Sequence, residues 1–202
     1  MTAIVCFGDS NTWGTVPCES RRYDENERWP GILKHLLHNA GVAAEVIEEG
    51  QQGRTLVHNN PFQGEKSGQR YLKDCIERYM PSLVIILLGT NDLKKRFSLS
   101  AKAIAKSAAE LVTKVQQTNS QVLLIAPPPI HEVGFYAKMY QGGAAKSLEL
   151  AKYYERHAQQ LGCAFFDAGS VIASCSQEGI HWEADQHQCL ADALAPLVKE
   201  LL

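Results

Sequence analysis

Residues 4–14 read Ile4-Val5-Cys6-Phe7-Gly8-Asp9-Ser10-Asn11-Thr12-Trp13-Gly14. An apolar run of strand length stops at a Gly-Asp-Ser turn. A short buried strand ending this way sets a serine hydroxyl at the carboxyl end of a sheet. That is where open α/β folds carry their ligands and chemistry. Taken alone, Ser10 has two readings: a nucleophile, or the cap of the next helix.

Four further apolar runs have strand character, so the candidate strands are Ala3–Phe7, Ala44–Ile47, Leu83–Leu88, Val122–Ala126 and Ala164–Phe166. Helical apolar spacing lies between and after them, over Trp29–Leu37, Tyr71–Tyr79, Ser100–Val115, Ala144–Leu161 and Gln188–Leu202. Pro30 suits a first helical turn and Gly162 a helix end. Strands alternating with helices predict a three-layer α/β/α sandwich on a mostly parallel five-stranded, flavodoxin-like sheet. The loops after strands one, two, three and five should then share one sheet edge. Residues 127–143 form the longest irregular stretch, opened by Pro127-Pro128-Pro129 and carrying Phe135, Tyr136, Met139 and Tyr140. An aromatic loop at the sheet edge is placed to wall a pocket, or to tuck its rings onto the core.

The length of 202 residues suits one domain, 1–202, and the 45% hydrophobic and 21% charged content is that of a globular protein. A net charge of −2 without long runs of one sign points to neither a nucleic-acid nor a membrane partner. The longest apolar stretch, Leu83–Leu88, is far too short to span a bilayer, and no leader pattern is visible, so a cytoplasmic protein is expected. The six cysteines are scattered with no C-x-x-C pair, and reduced thiols are expected, with Cys6 and Cys163 facing the core. No zinc spacing, no G-x-G-x-x-G and no P-loop pattern occurs, so neither a metal nor a cofactor is expected.

Four sites fall on the shared edge: Ser10, then Gly50-Gln51-Gln52-Gly53-Arg54-Thr55, Gly89-Thr90-Asn91-Asp92, and Glu178-Gly179-Ile180-His181. Each is weak alone; their order along alternating strands is much harder to reach by chance. Phe7-Gly8-Asp9-Ser10, the glycine block at Gly53, Gly89-Thr90-Asn91-Asp92 and the final block at His181 resemble the four blocks of the SGNH, or GDSL, hydrolase family. Thr12-Trp13-Gly14, Val46-Ile47-Glu48-Glu49-Gly50, Pro127-Pro128-Pro129 and Phe166-Asp167-Ala168-Gly169-Ser170-Val171-Ile172 further resemble its arylesterase and acyltransferase subgroup.

The resemblance implies a serine esterase acting on small aryl or short-acyl esters, with water or an alcohol as acceptor. Such chemistry needs a nucleophile, a base and donors for the oxyanion. Ser10 is the nucleophile so implied. His181 is the base, chosen over His35, His38, His58, His131, His157 and His187 because it stands in the loop after the last strand and matches the family's final block. The resemblance gives the oxyanion donors as the backbone N–H groups of Ser10 and Gly53 and the side-chain amide of Asn91. Asp9 and Asp92 are expected to be structural.

Glu178 departs from the family, which usually has aspartate three residues before its histidine. Either Glu178 is the third relay member, or the site works as a Ser–His dyad oriented by a backbone carbonyl; Asp185 and Asp167 are further substitutes, though neither has the family's spacing. Trp13, Tyr136, Tyr140 and Ile180 are the expected pocket walls. Within the family the alternatives are a carbohydrate acetylesterase, a thioesterase or a lysophospholipase. Outside it they are a flavodoxin-like binding module or a scaffold with a dead site. Relatives in the subgroup tend to assemble, which implies a homo-oligomer.

Overall fold

The computed structural model describes residues 2–59 and 66–202. Five parallel strands form one sheet in the order β2-β1-β3-β4-β5. They are β1 (Thr2–Gly8), β2 (Ala44–Gly50), β3 (Leu83–Leu87), β4 (Gln121–Ala126) and β5 (Ala164–Asp167). All five runs expected to be strands are strands, most extended by a residue or two.

Alternation along the central strands sorts their side chains between two separate cores. Val5 and Phe7 of β1, Val84 and Ile86 of β3, and Val122 and Leu124 of β4 face one way. There they meet α3 (Gly68–Tyr79), α4 (Ala101–Gln116) and α6 (Leu150–Leu161). Ile4, Cys6, Leu83, Ile85, Leu123 and Ile125 face the other way, onto α2 (Trp29–Asn39) and α7 (Ala184–Glu200). A strand apolar on both faces can be buried only between two helical layers, which is why β3 reads as an unbroken Leu-Val-Ile-Ile-Leu. The result is the expected α/β/α sandwich.

Two helices differ most from expectation. The stretch expected as one helix from Ala144 to Leu161 is two, α5 (Gly143–Ser147) and α6. Ser147 supplies the reason: its hydroxyl donates to the Ala144 carbonyl at 2.6 Å and accepts the Ile130 N–H at 3.0 Å. That ties α5 to the chain leaving β4, while α6 follows the sheet. The last helix begins at Ala184, earlier than Gln188, and so carries the buried His187. His187 accepts the Trp29 N–H at 3.3 Å and packs against Tyr23 and Trp182. Burial lowers its pKa to about 3, so it stays neutral inside the α2–α7 layer.

All six cysteines are free; Cys6 is buried and Cys163 half-buried against the core. Among the described residues, no helix is long and apolar enough to cross a membrane, and no cluster of His, Cys, Asp and Glu has the makings of a metal site.

Candidate active site

The parallel strands all deliver their carboxyl ends to one edge, and the four singled-out segments meet there. β1 runs into the short α1 (Ser10–Trp13), capped by Asp9, whose carboxylate accepts the Asn11 N–H at 3.0 Å. Asp9 thus holds the turn, as expected, and does not face Ser10 as a base. The Asn11 amide in turn donates to the Ile180 carbonyl at 3.2 Å, pinning the His181 loop to the serine turn. Further bonds close that loop: Gly179 N–H to the Cys175 carbonyl and Cys175 N–H to the His181 carbonyl, both 2.8 Å.

The buried Ser10 hydroxyl lies 3.1 Å from Nε2 of His181. On the other side of the ring, Nδ1 of His181 lies 2.7 Å from Oε1 of Glu178. Oε1 also accepts the His181 backbone N–H at 2.6 Å, and Oε2 accepts the Cys18 N–H at 3.3 Å. Sharing one oxygen draws the ring contact off the line of the Nδ1–H bond, so it is a close polar contact rather than a straight hydrogen bond. Burial pushes the Glu178 carboxyl up, but His181 and the backbone donors outweigh it and hold it below the usual range. Asp167 instead caps the turn after β5 through Gly169 N–H, and Asp185 is exposed on α7. Neither reaches His181.

Gly53 follows β2 in a turn that needs a φ of +78°. Arg54 fixes this turn: its guanidinium donates to the carbonyls of Gly8 at 3.0 Å and of Glu49, and lies 4.2 Å over the Phe7 ring. The composition around Gly53 carries no hint of that clamp, because it is made across strands. Among the described residues, the backbone N–H groups of Ser10 and Gly53 donate to no protein acceptor. Asn91, in the turn after β3, donates through Nδ2 to the Arg54 carbonyl at 3.1 Å and to Asp9 at 3.3 Å. Its Oδ1 accepts the Tyr140 hydroxyl at 3.3 Å, which fixes which face of the amide presents N–H. Asp92 is structural, both its oxygens receiving the Leu56 N–H at 3.0 and 3.2 Å.

These groups open onto a cavity of about 540 Å³ lined by Ser10, Gly53, Asn91, Tyr136, Tyr140, Ile180 and His181, with Met139, Lys94, Lys66, Gln52, Thr15, Glu19 and Ser20 completing the wall. The Tyr136 ring stands edge-on to His181 at 5.7 Å. Tyr136, Tyr140 and Ile180 therefore occupy the expected wall. Trp13 does not: it ends α1 with its ring under the Arg22 guanidinium at 5.1 Å, outside the cavity. Lys94 was not foreseen; a lysine in a turn gives no signal of burial until the 127–143 loop folds over it.

The profile of the GDSL-like lipase/acylhydrolase family matches residues 6–192. The chain belongs to this family. Among solved structures, it is 37% identical to the aryl esterase of M. smegmatis, each chain covered in full, at a TM-score of 0.95. It is 32% identical to a carbohydrate acetylesterase from Sinorhizobium meliloti, again with full coverage and a TM-score of 0.95. The inhibitor-bound form of the M. smegmatis enzyme superposes at a TM-score of 0.94 with 36% identity and full coverage. No curated protein matches the chain significantly. Family and likeness together make this GDSL-family chain a carboxylic ester hydrolase of the serine type.

Proposed function

We propose that this GDSL-family enzyme cleaves small aryl or short-acyl esters with Ser10 as nucleophile, His181 as general base and Glu178 as the group that orients and charges the imidazole. The observation that carries the reading is the 3.1 Å contact between Ser10 Oγ and His181 Nε2, beside two backbone N–H groups that have no protein acceptor. With Glu178 at Nδ1, the Nδ1–H tautomer leaves Nε2 free to accept the serine proton. Ser10 Oγ bonds to the ester carbonyl carbon as its proton passes to Nε2. The tetrahedral oxyanion then takes the N–H groups of Ser10 and Gly53 and one Asn91 amide hydrogen. The long 3.3 Å bond from Asn91 to Asp9 engages the amide hydrogen most easily released to it.

Collapse of the intermediate breaks the ester C–O bond, and His181 returns the proton to the leaving alkoxide. Water attacks the acyl-serine by the same route in reverse, or an alcohol does so and carries off the acyl group. Tyr136, Tyr140, Met139 and Ile180 give the apolar wall that supports alcohol as an acceptor. A second reading, a carbohydrate acetylesterase, is favoured by the polar lining residues Thr15, Gln52, Ser20 and Glu19, and by likeness to the S. meliloti protein. We further place the enzyme in the cytoplasm. Homo-oligomer formation is supported by the exposed Val133, Phe135 and Met139 on the 127–143 loop, and sizing in solution tests it.

The deciding experiment is labelling by a fluorophosphonate probe. Wild type should label and turn over phenyl acetate, Ser10→Ala should do neither, and His181→Ala should label far more slowly. Labelling that survives Ser10→Ala would place the nucleophile elsewhere.

A further inference from the structure

One cation in the cavity wall has no part in the ester chemistry above. Lys94 closes the turn that begins at Asn91, its backbone N–H donating to the Asn91 carbonyl at 3.3 Å. The residue is only 6% exposed, yet it lines the same cavity as Ser10 and His181. Among the described residues its ammonium makes no hydrogen bond and no ion pair. Its one close partner is the face of Tyr140, 5.7 Å from the ring centroid. Lys94 Nζ is not fully enclosed: the stem is buried while the ammonium tip opens onto the cavity, where the aromatic face meets only part of its need for partners.

The nearby acids do not resolve it. Asp9 and Asp92 lie outside ion-pair reach of Lys94 and are engaged elsewhere, Asp9 by Asn11 and Asn91, Asp92 by Leu56. Burial, with Arg96 adding, lowers the Lys94 pKa to about 8, against the pull of Asp9 and Asp92, and the ammonium is still charged at neutral pH. Lys66 is a second lysine on the cavity wall. Among the described residues the only acid on that wall, Glu19, pairs with Arg21 at 2.6 Å. The pocket of the proposed esterase is therefore biased toward negative charge, with its least solvated cation beside Asn91.

We propose that Lys94 is a specificity-determining residue whose ammonium binds a carboxylate carried by the substrate, so that the preferred esters are monoanionic. The inference rests on Ser10 being the nucleophile of this cavity. The carboxylate can sit on the acyl side or on the alcohol side of the scissile bond, and both place it within a cavity of this size. An ammonium–carboxylate pair freed from bulk water favours the charged ester over its neutral isostere by about tenfold to a hundredfold.

Two pairs of isosteres test this. The acyl-side pair is the mono-4-nitrophenyl ester of glutaric acid against 4-nitrophenyl 4-carbamoylbutyrate. The alcohol-side pair is 4-acetoxybenzoate against 4-acetoxybenzamide. Wild type should favour the carboxylate over the carboxamide in one pair by that factor, mainly through KM. Lys94→Met should lower the carboxylate-to-carboxamide ratio of kcat/KM at least tenfold, and Lys94→Arg should restore most of it. The pair that responds names the side of the ester that carries the charge. Absence of a preference in both pairs, or a preference that survives Lys94→Met, overturns the proposal. So does an equal loss on carboxylate and carboxamide, which would make Lys94 a support for Asp9, Asp92 or the oxyanion. If Lys94→Met does not fold, Lys94→Gln takes its place. Calorimetric binding of 4-hydroxybenzoate against 4-hydroxybenzamide, and of glutaramate against glutaramide, reads the anion site without turnover: tighter binding of the acid in either pair by wild type but not by Lys94→Met supports it, and equal binding in both pairs overturns it. Failure of fluorophosphonate labelling would instead break the Ser10 reading, and is thereby distinguishable.

Discussion

Oε1 of Glu178 lies 2.7 Å from Nδ1 of His181 and 2.6 Å from the same residue's backbone nitrogen. One carboxylate oxygen thus sets both the ring and the loop that carries it. Glu178→Ala should lower kcat on phenyl acetate by about 10⁴-fold, the scale for losing the acidic member of a serine–histidine relay. Glu178→Asp, one methylene shorter, should recover part of it. Steady-state kinetics decide the matter, and near-wild-type turnover by Glu178→Ala would leave a Ser–His dyad.

Asn91 should behave as a transition-state donor. Asn91→Ala should reduce kcat by about 10²–10³-fold with a smaller change in KM. Tyr140→Phe removes the hydroxyl that donates to Asn91 Oδ1 at 3.3 Å, and should cost about twofold to tenfold in kcat because the amide is oriented less firmly. An Asn91→Ala effect seen in KM alone would place the amide in ground-state binding instead.

Asp92 should make stability fall with rising pH. Burial raises its carboxyl from the ordinary 3.8 to about 7; the Leu56 N–H opposes this and Asp9 adds to it. Its folded pKa exceeds its unfolded one, so the folded state holds the proton more tightly. The associated stability is full below about pH 4 and is lost as pH climbs through 7. Thermal melts of wild type and Asp92→Asn from pH 4 to 8 should show wild type losing ground to the variant over that interval. A constant difference between them would mean that Asp92 is not protonated in the fold.

Gly179 stands between Glu178 and His181 at a φ of +82°, and a Cβ there would fall 2.0 Å from the His131 carbonyl oxygen. His131 N–H donates to the Gly179 carbonyl at 2.9 Å, so the chain leaving β4 cannot simply back away. Gly179→Ala should destabilise the protein by about 2–4 kcal/mol, a fall in Tm of very roughly 4–16 °C for this size. It should also lower kcat by moving His181. Calorimetry and turnover together check this; an unchanged Tm would show that the loop has room.

Much of the site is legible in local residue patterns. The run Ile4–Phe7 before Gly8-Asp9-Ser10 announces a buried strand feeding a capped turn, and Gly89-Thr90-Asn91-Asp92 repeats the arrangement after β3. Glu178 and His181 share one short loop, so their pairing is nearly local. Trp13 was misplaced because proximity in sequence is not direction: α1 turns its ring out to Arg22. The α5–α6 break turns on Ser147 reaching Ile130, a contact that helical periodicity does not encode.

Residue order and apolar periodicity were enough to determine an alternating α/β chain with its polar segments at the strand ends, since those patterns follow from backbone geometry. Only the tertiary structure decided that Ser10 meets His181 at 3.1 Å, that Arg54 clamps the Gly53 turn, and that Lys94 is buried under the Tyr140 loop. Those contacts join segments 46 to 171 residues apart, or bury a residue type that is usually solvated. Packing between layers sets such distances, and no local propensity carries them.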